Sequence, residues 1–342
     1  MKIAFLLPGK NVSGGVRVTV TQANCLIERG HRVRILYRAN PPSIKAAYRS
    51  LRGKLIYRSS PDFLAEFKGK ASAFRDITDC AFDRDEIILA VGMSMSGQLP
   101  LLDSHQNLKI QYIHGATPWE PELMKKVLPL PYPKIAVASY LKPLIESFAG
   151  GAVLAVIPNG IDPRAYFCSA VDSEKTGIGT IYSSHPAKDP VTILGFVEMI
   201  HRTRPDIPVR MFGTERRPKS IGANFYWRFP SVESARGLYS VSRTWVLASR
   251  SEGFPAPILE AMACGAIPVA TRCGGSTDII EDGVNGYLVD VGDVSKIVSR
   301  VMSVFEDEHL ASRMRSAAKE TIATFSWDRC INQLESVLKG LL

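Results

Sequence analysis

Short apolar runs alternate with helical periodicity at the start of the chain. Lys2–Leu7 is almost wholly apolar and predicts a buried strand, and the glycine-rich stretch PGKNVSGG follows it. The next apolar positions recur at the spacing of one helical face, at Val16, Val20, Ala23 and Ile27. Gly30 predicts the end of this helix, and Val33–Tyr37 predicts the next strand. Strand, loop, helix and strand in this order form the start of a βαβ unit.

The same alternation runs along the chain in two series. Further buried strands of the first series are predicted at Ile87–Val91, Ile110–Ile113 and Ile135–Ala138. The pattern from Pro41 to about Arg75 favours no single element. Strands of the second series are predicted at Gly177–Tyr182, Val209–Phe212, Trp245–Ala248 and Ile267–Ala270. Helices of the second series are predicted at Val191–His201 and Pro257–Ala263.

A segment rich in turn-forming residues separates the two series. Val156–Ala170 contains Pro158, Gly160 and Pro163, which break regular structure as a linker should. Each series of alternating strands and helices predicts a doubly wound α/β domain. Two Rossmann-like domains facing each other across a cleft are therefore expected, with ligands bound beyond the carboxyl ends of the strands.

Composition agrees with two domains in a reducing compartment. The 342 residues exceed what one simple core needs, and 46% of them are hydrophobic. The six cysteines are scattered without a CxxC or Cys/His cluster, which argues against a structural zinc site or a disulfide framework. The apolar runs are too short to span a bilayer, and Met1 and Lys2 lead into the first run with no cleavage-site pattern. A cytoplasmic protein is expected.

The net charge of +9 is distributed unevenly. Residues 29–75 contain twelve lysines and arginines but only two acidic residues, Asp62 and Glu66. Such a surface attracts anionic partners, and nucleic acid, an acidic membrane face and a phosphorylated substrate all qualify. A solvated basic face without a single partner is the other interpretation, and the charge pattern leaves it open.

Two glutamates lie on either side of a predicted helix start. Glu252 is in the loop after the strand Trp245–Ala248, and Pro257 opens the helix that contains Glu260. The start of a helix offers unpaired N–H groups and a partial positive charge, which suit a phosphate. Glu252 could then bind the hydroxyls of a sugar, and Glu260 could bind a ribose diol. In the alternative interpretation Glu252 caps the helix and Glu260 is an ordinary surface residue.

The amino-acid sequence around these glutamates resembles that of a known family. Three segments together resemble retaining glycosyltransferases of the GT-B fold, in particular glycosyltransferase family 4, also called glycosyl transferases group 1. These segments are EGFPAPILEAMACGAIPVA, the GGSTDIIEDGVNGYLV that follows it, and the earlier VIPNGID. The resemblance covers most of the second half and, more loosely, the first strand, loop and helix. It implies an acceptor-binding domain at 1–157, a nucleotide-sugar-binding domain at 158–326, and a helix at 327–342 that packs back toward the first domain.

The resemblance also implies a role for individual residues. Glu252 would contact the transferred sugar, Lys188 in SSHPAKDP would neutralise the diphosphate, and His114 in QYIHGATPW would lie near the donor sugar. Glu260 would bind the ribose. The other residues implied in donor binding are Gly14, Gly15, Ser183, His185, Gly253 and Phe254. The two N-terminal glycines would let the backbone approach the donor or acceptor, and the backbone N–H groups of Gly253 and Phe254 would approach the sugar.

Two positions depart from the family pattern. Ser183 stands where an arginine is usual, so Arg216, Arg217 or another basic residue would have to replace that cation. Pro255 stands where a residue with a backbone N–H is usual, and proline cannot donate. These departures leave open an unusual donor, weak activity or a catalytically degenerate protein.

The resemblance implies a retaining glycosyltransferase that needs no metal and no cofactor. A nucleotide-diphosphate sugar would be its donor, and a sugar, glycolipid or polysaccharide hydroxyl its acceptor. The basic stretch favours a lipid-linked, phosphorylated or polysaccharide acceptor at the cytoplasmic face of the membrane. A degenerate protein that binds a nucleotide sugar or a partner enzyme is the alternative. No nucleic-acid-binding motif accompanies the basic stretch, so nucleic acid is not an expected partner.

Overall fold

The computed structural model describes residues 1–10, 13–39, 62–116, 120–148 and 153–342. The chain forms two compact units, one made of Met1–Pro158 with Cys330–Leu342 and the other of Asn159–Arg329. About half of the basic stretch, residues 40–61, lies outside the described residues. Across the part of the chain that is described, no helix is both long and apolar enough to cross a bilayer.

The first unit contains a parallel sheet of seven strands in the order β3-β2-β1-β4-β5-β6-β7. These strands are β1 Lys2–Leu7, β2 Arg32–Arg38, β3 Lys70–Phe74, β4 Glu86–Val91, β5 Lys109–Ile113, β6 Lys134–Ala136 and β7 Val153–Val156. Central β1 pairs with β2 on one side and β4 on the other, and Ile3 through Leu6 of β1 are wholly buried. Strands buried on both faces of a parallel sheet carry continuous apolar runs, which is why they were predictable from the sequence.

Helices cover the sheet of the first unit. They are α1 Gly14–Glu28, α2 Gly92–Ser96, α3 Pro121–Val127 and α4 Leu141–Glu146. Of the apolar face predicted for α1, Val16, Val20 and Ala23 are buried and Ile27 is partly buried. The Ser13 hydroxyl caps this helix by accepting from the Val16 N–H at 3.4 Å. The last helix of the chain, α11 Trp327–Gly340, buries Leu334 and Leu338. Within the first unit its Glu335 carboxylate contacts His31 Nε2 at 2.7 Å.

The second unit contains a parallel sheet of six strands in the order β10-β9-β8-β11-β12-β13. These strands are β8 Gly177–Tyr182, β9 Val209–Gly213, β10 Tyr226–Arg228, β11 Ser242–Leu247, β12 Ile267–Thr271 and β13 Tyr287–Val289. Its helices are α5 Pro190–Thr203, α6 Val232–Ser240, α7 Ala256–Ala263, α8 Ser276–Ile279, α9 Val294–Glu306 and α10 Glu308–Thr324.

The strand order of the second sheet reverses between β8 and β11. From β8 the chain proceeds outward through β9 and β10, and it then returns to place β11 on the other side of β8. These two strands pair in parallel, with Thr180 opposite Val246. The loops that follow them therefore leave the same edge of the sheet side by side, at the switch point where doubly wound sheets bind ligands.

Candidate functional site

The loop after β8 holds a carboxylate in place of the missing cation. The Ser183 hydroxyl and the Ser184 N–H donate to Glu215 Oε1 at 2.8 and 2.9 Å. Burial raises the pKa of Glu215, but the hydrogen bonds from Ser184 and Ser183 outweigh it and hold this pKa below its usual value. Arg217 instead donates to the Ile221 carbonyl, and Arg216 is exposed. The partner of the Ser183 side chain is therefore the negatively charged carboxylate of Glu215.

The same loop continues into a short turn and the start of α5. His185 Nδ1 accepts from the Ala187 N–H at 3.1 Å, at the start of the turn that contains Lys188. Asp189 follows with a positive φ of 45°, a conformation that aspartate tolerates better than most residues. Its buried carboxylate caps α5, accepting from the Thr192 N–H at 3.3 Å and the Thr192 hydroxyl at 2.8 Å. This cap fixes the position of Lys188 one residue earlier.

Backbone hydrogen bonds join the loop after β11 to the loop after β8. The Ala187 carbonyl accepts from the N–H groups of Arg250 at 2.8 Å and Ser251 at 3.3 Å. Lys188 Nζ then donates to Glu252 Oε1 at 2.6 Å. Lys188 and Glu252, which were predicted separately from the sequence, therefore form one ion pair.

Glu252 is held on several sides. The Ser249 hydroxyl donates to its Oε1 at 2.5 Å, and only 8% of its side chain is exposed against 35% for Lys188. The Gly275 N–H donates to the Gly253 carbonyl at 3.1 Å, which joins a third loop to this one. Gly274 of that loop has a φ of 52°, and a Cβ added there would lie 1.8 Å from the Glu252 carbonyl oxygen. No residue with a side chain fits at position 274 unless the Glu252 backbone moves.

The start of α7 offers fewer backbone donors than a typical helix start. Pro255 is the N-cap, and Pro257 lies in the first turn; neither has an N–H. The Ile258 N–H donates to the Pro255 carbonyl at 3.0 Å. Phe254 is buried, with its ring 5.7 Å from that of Phe325. Two backbone N–H groups that a typical helix start would offer are therefore missing here.

The interpretation of the glutamates as a helix cap and a surface residue is wrong. The N-cap of α7 is Pro255, and the Glu252 side chain pairs with Lys188. Glu260 is only 4% exposed, and its Oε2 accepts from the Tyr239 hydroxyl at 2.8 Å. A buried carboxylate with a dedicated donor has a fixed orientation.

The predicted residues of the first unit lie at the start of α1 and the end of β5. Gly14 and Gly15 form the first turn of α1, where a Cβ added to Gly15 would lie 3.9 Å from His114 Nδ1. A Cβ added to Gly14 would meet none of the described residues within 4 Å, so crowding by this part of the protein does not require glycine at either position. The His114 ring packs edge-on against Tyr112 at 4.5 Å, and burial lowers the pKa of His114 to about 4.

The lowered pKa of His114 predicts a loss of stability in acid. The unfolded chain takes up the proton near pH 6.5, so the folded state is fully favoured above that pH and loses stability as pH falls from 6.5 toward 4. The pH-dependent loss is about 3 kcal/mol. Urea unfolding at pH 7.5 and 4.5 should show His114→Gln losing less stability than the parent over this interval. Equal acid slopes for His114→Gln and for the exposed control His201→Gln would contradict the prediction.

Part of the chain is similar in sequence to known glycosyltransferases. Residues 186–321 match the sequence model of the family described as Glycosyl transferases group 1. N-acetyl-alpha-D-glucosaminyl L-malate synthase of Bacillus anthracis is 33% identical over 106 residues, which are 31% of this chain and 28% of that protein. O-antigen chain mannosyltransferase B of Escherichia coli is 31% identical over 104 residues, 30% of this chain and 27% of that protein. The similarity to these two relatives thus spans less than a third of their length.

A solved structure resembles the chain over its whole length. Anabaena Alr3699/HepE in complex with UDP has a TM-score of 0.78 at 16% identity, covering 99% of this chain and 100% of that chain. At this level of identity the likeness establishes the fold. The two doubly wound domains are those of the GT-B fold, as the sequence predicted.

Proposed function

We propose that this chain, whose residues 186–321 match the sequence model of glycosyl transferases group 1, is a retaining glycosyltransferase. It moves a sugar, a hexose or a deoxyhexose, from a nucleotide-diphosphate sugar to an acceptor hydroxyl. Binding of a nucleotide is supported by UDP in the Anabaena structure, which shares the fold. The similarity to O-antigen chain mannosyltransferase B supports a role in the synthesis of a cell-surface polysaccharide or glycolipid.

The observation that carries the proposal is the ion pair of Lys188 and Glu252 at the switch point. Glu252, oriented by Ser249 and Lys188, has acceptor capacity left for the hydroxyls of the transferred sugar. Lys188 stands where the leaving diphosphate gains negative charge, so it stabilises the transition state more than the bound donor. Glu260, held by Tyr239, binds the ribose diol at the other end of the donor.

The reaction proposed for this site is a front-face displacement. The bond between the sugar and the diphosphate breaks, the acceptor oxygen forms the new bond on the same face, and the departing phosphate takes the proton of the acceptor hydroxyl. Lys188 supplies charge that a metal ion would otherwise provide, so no metal is expected to be required. The basic residues of the first unit favour an acceptor that is anionic or lipid-linked, reached at the cytoplasmic face of a membrane.

A ligand screen tests the proposal. Nucleoside diphosphates and their sugars should raise the unfolding temperature, since a ligand that binds the folded state stabilises it by mass action. The stabilising donor should then be consumed, with release of the nucleotide and retention of the anomeric configuration in the product, followed by NMR. If no member of the panel raises the unfolding temperature, the proposal fails. Binding without any turnover would instead support the degenerate protein that Ser183 and Pro255 suggest.

A further inference from the structure

Lys188 alone does not supply enough positive charge to neutralise a diphosphate at the proposed position. Lys188 is paired with Glu252 at 2.6 Å, so its charge is already matched before a ligand binds. Glu215 adds a further negative charge beside Ser183. The two prolines at the start of α7 remove amide donors that would otherwise bind phosphate. A diphosphate bound here therefore needs a second cation.

Arg250 is placed to be that cation. It lies in the loop after β11, and its own N–H donates to the Ala187 carbonyl one residue before Lys188. Its guanidinium Nε lies 3.0 Å from Oδ2 of Asp189, the residue that follows Lys188 in the sequence. The Arg250 side chain thus lies at the same edge of the sheet as Lys188, beside the start of α5.

The Arg250 side chain is anchored yet retains donors for a ligand. Asp189 is 2% exposed and is fixed by its hydrogen bonds to Thr192, so the partner of Nε cannot move far. The Arg250 side chain is 52% exposed. A guanidinium has five N–H donors, and the ion pair through Nε leaves those of the two terminal nitrogens for a planar fork onto phosphate oxygens.

We propose that Arg250 binds the phosphates of the donor together with Lys188, in place of the cation that Ser183 does not supply. The inference rests on the proposed function, because it assigns a residue to the donor diphosphate. Asp189 acts as the positioning residue, which orients the guanidinium before the ligand arrives and so reduces the entropic cost of binding. The fork geometry predicts that lysine substitutes only in part, because a lysine ammonium is a point charge.

Binding measurements on charge variants test the assignment. Dissociation constants are measured for UDP, GDP and ADP and for the matching nucleosides, with the parent chain, Arg250→Gln, Arg250→Lys and the control Arg204→Gln. Arg204 is 37% exposed and is also paired with an aspartate, Asp206, but lies at the far end of α5. Arg250→Gln should weaken the best nucleoside diphosphate about tenfold and leave nucleoside binding unchanged. Arg250→Lys should recover part of the loss, and Arg204→Gln should match the parent.

The outcomes separate this inference from the proposed function. If the parent binds a nucleoside diphosphate and Arg250→Gln binds it as tightly as Arg204→Gln does, the assignment of Arg250 is wrong and the proposed function stands. If the parent binds none of the three diphosphates, both fail. Unfolding curves without ligand identify any variant that has lost its fold. For a folded variant, a shallower salt dependence of diphosphate binding in Arg250→Gln supports a direct contact with phosphate, and an unchanged slope counts against it.

Discussion

Glu252→Gln is expected to reduce the turnover of the donor at least about a hundredfold, the size of effect seen when one preorganised polar group is removed from an active site. The glutamine keeps the volume of the side chain and one oxygen that can accept from Ser249. It removes the charge that pairs with Lys188, so the Lys188 ammonium loses its partner and the sugar hydroxyls lose a strong acceptor. Steady-state kinetics should show the loss mainly in kcat, while urea unfolding confirms that the variant remains folded.

A double-variant cycle tests whether Lys188 and Glu252 act as a unit. Lys188→Gln should also reduce turnover strongly, and the variant carrying both changes should be little worse than either single one. The control is Asp206→Asn, which breaks an exposed ion pair at the other end of α5 and should alter turnover less than about twofold. Effects that multiply in the double variant would show that the two side chains work independently.

Elements with long apolar runs or a strong helical period were predictable from the sequence. The predicted strands Gly177–Tyr182 and Val209–Phe212 match β8 and β9 to within one residue. The edge strands β10 and β13 were not predicted, because three residues are too few to establish a period. Strand β3 was missed for a related reason: its residues Lys70, Ala71 and Ser72 are only partly buried or exposed and carry no apolar pattern.

The pairing of site residues was less predictable than the residues themselves. Lys188 and Glu252 were both selected from the sequence, but their ion pair depends on β8 lying beside β11. Hydrophobic periodicity gives the order of elements along the chain, and it does not give the order of strands in the sheet. The hydrogen bond between Ser183 and Glu215 was not predicted, because Glu215 is 32 residues away along the chain and lies in the loop after β9.

Two features of the site are visible in the sequence, and only the lost N–H of Pro255 entered the prediction. Asp189 precedes Pro190, and an acidic residue before a proline is a standard signature of a capped helix start. That signature would have identified Asp189 as a fixed anchor for neighbouring side chains. Pro255 and Pro257 together indicate a helix start that is poor in N–H groups. A phosphate bound there would depend more on side chains than on the backbone.

Gly274→Ala is expected to lower turnover about a hundredfold through displacement of Glu252, since a shift of about 1 Å in a catalytic group has an effect of that order. The added methyl group would lie 1.8 Å from the Glu252 carbonyl oxygen, so the loop that holds Glu252 must move. Gly283 is the matched control, because its φ is also positive, at 80°, and an added Cβ there meets none of the residues that the structure describes within 4 Å. Gly283→Ala should therefore cost about 1 kcal/mol of stability from backbone strain and leave turnover nearly unchanged.

The same substitution in a Glu252→Gln background shows whether Gly274 acts through Glu252. If its role is to position that carboxylate, Gly274→Ala should reduce the residual turnover only slightly once the carboxylate is gone. Loss of stability alone would give a different result, since it would lower the folded fraction equally in both backgrounds. Turnover per folded molecule, with the folded fraction taken from urea unfolding, separates the two cases. A hundredfold loss in both backgrounds would mean that Gly274 affects donor binding or the fold by a route other than Glu252.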